Sequence, residues 1–242
     1  MVRVLVFLSQ RQISGVEHIA AEVYSRTVEV DHSKGQIAAW ISVKNVPERH
    51  SVEITVPLNL APVIGRVLCR VNRLFDLGAR PDLIDAQLGY LAAGLPGMRV
   101  PDAFDGIEIA VRAVVGQQIS VANARAILSR IASRYGTAIA EAPDGLATTF
   151  PSGAILAQLP MSALVSVGMT GIRAEAIIAL AQGVAARRIV LEGAKRPRLN
   201  CNRVSARYCH VVGRLRGYCH EWRWCTDRSM KGWGNRVLAQ LF

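Results

Sequence analysis

Apolar residues along the chain recur with two different periods, and the change of period divides it. Tyr24 to Val30 alternates, with Val28 and Val30 on one face and Thr27 and Glu29 on the other. Gln36 to Val43 repeats this through Ile37, Ala39, Ile41 and Val43, and Ser51 to Val56 through Val52, Ile54 and Val56. These runs predict three strands, the first two joined by a hairpin turn at Asp31-His32-Ser33-Lys34-Gly35. From there the spacing becomes helical. Pro62 fits the first turn of a helix with Val63, Val67, Val71 and Leu74 on one stripe, ending at Phe75. Pro81 opens another, with Ile84, Leu88 and Leu91 predicted on its buried face. Upstream, residues 7 to 17 predict a helix start and a turn at Gly15.

Strands followed by helices, without strand–helix–strand alternation, predict an antiparallel sheet backed by helices, an α+β domain over residues 1–97. Gly94-Leu95-Pro96-Gly97 and Pro101 mark its end. Residues 98–192 then read as all-helical. Ile107, Val111, Val114 and Val115 make one stripe, and Ala124, Ile127, Leu128 and Ile131 another within Val121 to Tyr135, which Gly136 ends. A loop from Glu141 to Pro151 precedes a short helix through Ile155 and Leu159. Thr170 is placed to cap a helix from Gly171 to Arg188, with Ala174, Ile177, Ala181 and Val184 inward.

The first helical stripe stops at Gly116-Gln117-Gln118, and Ser120 can cap the next helix. Two long neutral amides there have no packing duty. They suit a solvated interhelix corner, or a site where amides bond a base edge or fill the gap that a base leaves.

Composition bounds the chemistry. At 242 residues, with 51% apolar and 19% charged side chains, the chain is long and apolar enough for a globular core in two modest domains. Val2 to Leu8 is too short for a signal peptide and nothing approaches a membrane span, so a cytoplasmic protein is expected. The net charge of +11 is unevenly held: residues 195–242 carry eleven of the 29 basic side chains and only two acids, Glu221 and Asp227. The remainder is nearly neutral, so global charge says little about its partner.

Three stretches carry a family resemblance. Ala-Phe-Asp-Gly-Ile-Glu-Ile-Ala-Val-Arg-Ala-Val-Val-Gly-Gln-Gln-Ile-Ser-Val-Ala, from Ala103, resembles the signature of AlkA-type DNA-3-methyladenine glycosylases of the helix-hairpin-helix superfamily. Val167-Gly168-Met169 through Arg173-Ala174 resembles a later element of the same family, and Phe7 to Glu17 its N-terminal Phe-Leu-x-x-Arg-x-x-x-x-Val-Glu pattern. The resemblance runs from about Phe7 to about Glu192. It implies base excision repair: flipping an alkylated base such as 3-methyladenine out of duplex DNA and hydrolysing its N-glycosidic bond, by a monomer without organic cofactor or membrane partner. It also implies that Gln117 lines the base pocket, that Gln118 is the wedge pushed into the DNA stack, and that Phe7 stands near the pocket. Ordinary core is the other reading of Phe7.

The family's hairpin, Leu-Pro-Gly-[Ile/Val]-Gly-x-Trp-Thr-Ala, and the aspartate that stabilises the sugar cation should follow Glu192. Neither is recognisable, and Asp227 in Cys-Thr-Asp-Arg lacks the family's surroundings, so no catalytic residue is assigned and no metal site is implied. Residues 193–242 admit three readings: a zinc module from Cys201, Cys209, His210, Cys219, His220 and Cys225, a basic aromatic tail for nucleic acid, or an out-of-frame translation. Gaps of eight and ten residues between cysteines disfavour zinc, and the abrupt rise in Arg, Cys and Trp favours the last. Catalysis is then expected to be absent or very weak. The alternatives are a non-catalytic binder of alkylated DNA or an inactive, pseudogene-like product. A partial helical domain is also expected to leave the stripes at Ile127 and Ile177 partly uncovered.

Overall fold

A computed structural model describes residues 1–191, which lie within one compact unit, Met1–Glu192. All expectations for residues 193–242, the zinc, tail and frame readings included, fall outside the described residues.

The architecture is α+β. A helix α1 (Val2–Ser9) leads into strands β1 (Glu17–Ala20), β2 (Val23–His32), β3 (Gly35–Val46) and β4 (Ser51–Thr55), a four-stranded antiparallel sheet in sequence order. The helices α2 (Ile64–Leu74), α3 (Pro81–Leu88), α4 (Gly106–Val115), α5 (Val121–Tyr135), α6 (Gly153–Gln158), α7 (Met161–Val165) and α8 (Gly171–Ala185) come after it. One face of the sheet, with Tyr24, Val28, Val30, Ile41 and Val43, packs on Leu5 and Leu8 of α1 and Val67, Val71 and Leu74 of α2. The edge of the Tyr24 ring meets Phe75 at 5.5 Å between centroids.

The alternation of β2 and β3 pairs as the pattern predicts, Val28 opposite Ala39 and Val30 opposite Ile37. Several boundaries differ. The hairpin turn is only Ser33-Lys34, because the pairing continues to His32 opposite Gly35. The first helix begins at Val2, and Phe7 lies near its end rather than at its start. Strand β1 has no alternating pattern and is not predicted by periodicity. Pro62 lies inside a 3-10 turn, Leu58–Val63, ahead of α2. Leu88 and Leu91 are exposed, 43% and 64%, against expectation. Helix α3 stops at Gly89, whose φ is +55°, and a 3-10 turn over Gly89–Ala92 takes the stripe out of register.

The second face of β2 is also covered. Thr27 donates to the Thr148 carbonyl at 2.8 Å, and the Glu29 carboxylate accepts from Thr137 and Thr149, each at 3.1 Å. The segment after α5 thus seals the polar side of the strand, and Thr27 is only 1% exposed.

Within the helical part, α6 and α7 pack on α8, and α4 packs on both α5 and α8. Ile127 and Ile177 are therefore covered, at 7% and 0% exposure, and the expected partly bare stripes do not exist. Helix α5 has the predicted bounds. Thr170 takes the N-cap position of α8 in extended conformation, but its hydroxyl makes no capping bond, and α8 ends at Ala185 rather than Arg188. No helix among the described residues is long and apolar enough to cross a membrane.

Candidate functional site

Asp105 starts α4 where it does: its carboxylate accepts the backbone N–H groups of Ile107 and Glu108 at 2.9 and 3.1 Å. The helix ends at Gly116, and Ser120 caps α5 by accepting from the Asn123 N–H at 3.2 Å. The glutamine pair thus lies in a tight turn between two capped helices. Gln117 is half-buried and Gln118 exposed. Gln118 holds a left-handed backbone, φ +56°, which non-glycine residues seldom adopt. Such strain persists only where surroundings impose it. Here Arg173 of α8 donates a guanidinium hydrogen bond to the Gln117 backbone carbonyl.

Phe7 is half-buried on α1, against the sheet core, with the Arg11 guanidinium 4.1 Å above its ring. Partial burial lowers the Arg11 pKa from its ordinary value. The chain leaving α1 is bound to the helical part. Arg112 donates to the Arg11 carbonyl at 2.7 Å, Arg125 to the Gln12 carbonyl at 3.1 Å, and the Ser14 N–H to the Ser129 hydroxyl at 3.1 Å. Phe7 and the Gln117–Gln118 turn are thereby tied to the same two helices, through Arg11 and Gln12.

Beneath this junction lies a buried charge cluster that sequence reasoning missed. Arg26 of β2 donates to Glu108 of α4 at 2.6 Å, stacks 4.4 Å over Phe104, and stands 3.9 Å from Glu17 of β1. Arg112 bridges the two carboxylates, contacting Glu108 at 2.7 Å and Glu17 as well. Tyr24 donates to Glu17 at 2.7 Å, and the Ile13 N–H does so at 3.0 Å. Burial opposes the charge of Glu108, but Arg26 and Arg112 outweigh it and hold its pKa down to about 2. Burial likewise opposes the charges of Arg26 and Arg112, and the carboxylates overcome it, raising both. Burial is the main cause that raises Tyr24 well above the usual phenol range. The legible signal was Glu108 and Arg112, four residues apart inside an apolar stripe.

The loop before α8 is braced in the same manner. Arg130 of α5 donates to the Val167 carbonyl at 2.7 Å, with its guanidinium 2.9 Å from where a Cβ on Gly168 would stand. Arg134 donates to Ser166 at 2.8 Å. Two surface hollows, one lined by Asp31, His32 and Arg66 and one along Lys44 to Glu53, contain none of Phe7, Gln117 and Gln118. Among the described residues no cluster of His, Cys, Asp or Glu could hold a metal ion.

Comparison with known proteins bears on this arrangement. Residues 1–105 match the family model of the AlkA N-terminal domain. The chain is 37% identical over 175 residues to DNA-3-methyladenine glycosylase 2 of Escherichia coli K12, covering 72% of this chain and 60% of that protein. It is 28% identical over 158 residues to a probable bifunctional transcriptional activator/DNA repair enzyme AlkA of Mycobacterium tuberculosis, covering 63% of this chain and 31% of that one. The chain therefore spans less than two thirds of the length of these relatives. Its fold is shared with 3-methyladenine DNA glycosylase from Archaeoglobus fulgidus, at a TM-score of 0.57 and 18% identity over 74% of this chain and 62% of that one. It is shared also with the Clostridium acetobutylicum 8-oxoguanine glycosylase/lyase solved in complex with double-stranded DNA, at 0.53 and 14% over 86% and 74%. These matches show an AlkA N-terminal domain over residues 1–105 and a chain similar, over 175 residues, to DNA-3-methyladenine glycosylase 2.

Proposed function

We propose that the chain is a base excision repair glycosylase scaffold that recognises alkylated bases in duplex DNA by flipping them out, working as a monomer in the cytoplasm. The observation that carries this is the turn Gly116-Gln117-Gln118. It presents one exposed glutamine in a left-handed conformation and one half-buried glutamine beside it, at the junction of α4 and α5. In the proposal Gln118 fills the stack after the nucleotide leaves, and Gln117 and Phe7 stand at the base. Flipping costs a few kcal/mol, least at damaged or mispaired sites, which supplies part of the selectivity. A cationic alkylpurine would gain from an aromatic ring, although the Arg11 guanidinium already lies over the ring of Phe7.

Hydrolysis needs a free negative charge beside the developing sugar cation. The buried carboxylates at the junction, Glu17 and Glu108, are both paired with arginines. This favours a second reading for the chain as it stands, a binder of alkylated duplex with little or no base release. Fluorescence anisotropy with a duplex carrying a tetrahydrofuran abasic analogue, against the intact duplex, tests recognition. A preference of roughly tenfold or more is expected, about the 1.4 kcal/mol that a modest flipping advantage supplies. Equal affinity for the two duplexes refutes both readings. The out-of-frame origin proposed for residues 193–242 is tested by translating the coding DNA in all three frames. A hairpin motif and a following aspartate in another frame would establish it, and their absence from every frame would remove it.

A further inference from the structure

We propose that Arg173 is a positioning residue for the wedge: its bond to the Gln117 carbonyl imposes the left-handed conformation of Gln118. The inference rests on the wedge role given to Gln118 above. The Gln117 carbonyl belongs to the peptide plane that joins the two glutamines, so its direction is set jointly by ψ of Gln117 and φ of Gln118. A charge-assisted bond from a planar guanidinium holds that direction more firmly than a neutral donor would. Without it, Gln118 at φ +56° would relax toward the ordinary helical or extended regions, and its side chain would point elsewhere. Arg173 stands in the first turn of α8 and is half-buried, so it is itself a fixed strut rather than a free surface cation. It links the second resemblance element, Val167 to Ala174, to the first.

The test uses the full chain as wild type, Arg173→Met, Arg173→Lys, Gln118→Ala and the Arg173→Met/Gln118→Ala double variant. One arm reads Gln118 Cα and Cβ chemical shifts in labelled protein without DNA, which report a left-handed φ. Arg173→Met is expected to move them out of that range while far-ultraviolet circular dichroism stays unchanged, and unchanged shifts overturn the proposal. The other arm reads affinity for the abasic-analogue duplex over the intact duplex. Arg173→Met is expected to lose that preference about as fully as Gln118→Ala does, with the double variant no worse than either and Arg173→Lys between. Equal weakening on both duplexes, with a shallower salt dependence, would instead make Arg173 a phosphate contact and overturn the proposal. If Arg173→Met does not fold, Arg173→Lys carries both arms, a smaller change in the same direction being expected and no change in either arm overturning the proposal. A wild type without lesion preference sinks the functional reading, while the shift measurement still decides what Arg173 does.

Discussion

Single residues of one type take different duties here, and position decides which. Gly136 ends α5, yet its φ of −78° is open to any residue, so a left-handed cap is not its reason. A Cβ there would stand 2.0 Å from the Thr149 carbonyl oxygen, where the segment sealing β2 passes closest. Gly136→Ala is expected to destabilise by about 1–3 kcal/mol in urea unfolding, as overpacking does. Gly65, in the first turn of α2, meets nothing within 4 Å. Gly65→Ala is expected to stabilise by about 0.5 kcal/mol, and the opposite signs separate crowding from helix propensity. Gln118 inverts the usual trade: Gln118→Gly should relieve about 1 kcal/mol of backbone strain and raise the melting temperature, while weakening preference for abasic duplex. A lower melting temperature would show that the glutamine side chain stabilises the turn by more than its backbone costs.

At the scale of elements, the sequence disclosed those whose burial follows one period, and hid those decided by partners far along the chain. β2, β3 and α5 could be read because a whole face is apolar. β1 could not, since Glu17 to Ala20 has no alternation and is held by pairing with β2 and by the polar contacts of Glu17. The Gln117–Gln118 turn was visible as the end of a stripe, but its handedness and its brace from Arg173, 56 residues on, were not. The junction of sheet and helices was hidden for the same reason: Arg26 and Glu108 lie 82 residues apart. That junction has a pH signature. Glu108 titrates at about 2 when folded, below the ordinary 4.5, so the unfolded chain takes up its proton first as pH falls. Its contribution is complete above about pH 4.5 and is lost as pH falls toward 2. Glu108→Gln should cost about 3 kcal/mol at neutral pH, at the low end for a broken buried pair because Glu17 remains beside both arginines. It should also flatten the fall of melting temperature between pH 4.5 and 2. An unchanged slope would assign acid sensitivity to other carboxylates.

At the scale of the whole molecule, the proposed recognition and the chemistry it would serve make separable demands. The proposed flipping would need a shaped turn on a stiff core, and within residues 1–191 a buried charge cluster ties sheet to helices, and arginines from α5 and α8 brace the loops. Bond cleavage needs a carboxylate that is ionised, unpaired and beside the sugar. Glu17 and Glu108 are both spent on Arg26 and Arg112. Freeing either would break the junction before it served a substrate. The full chain, incubated with alkylated DNA, is therefore expected to prefer lesion-bearing duplex yet to release no 3-methyladenine above a protein-free control. Release at ordinary enzyme rates, about 1 per second or faster, would refute the binder reading and require a carboxylate other than Glu17 and Glu108. Outside the described residues the acids are Glu192, Glu221 and Asp227. Single Gln and Asn replacements at those three positions would then test whether it is one of them, the catalytic one abolishing release while leaving lesion preference intact.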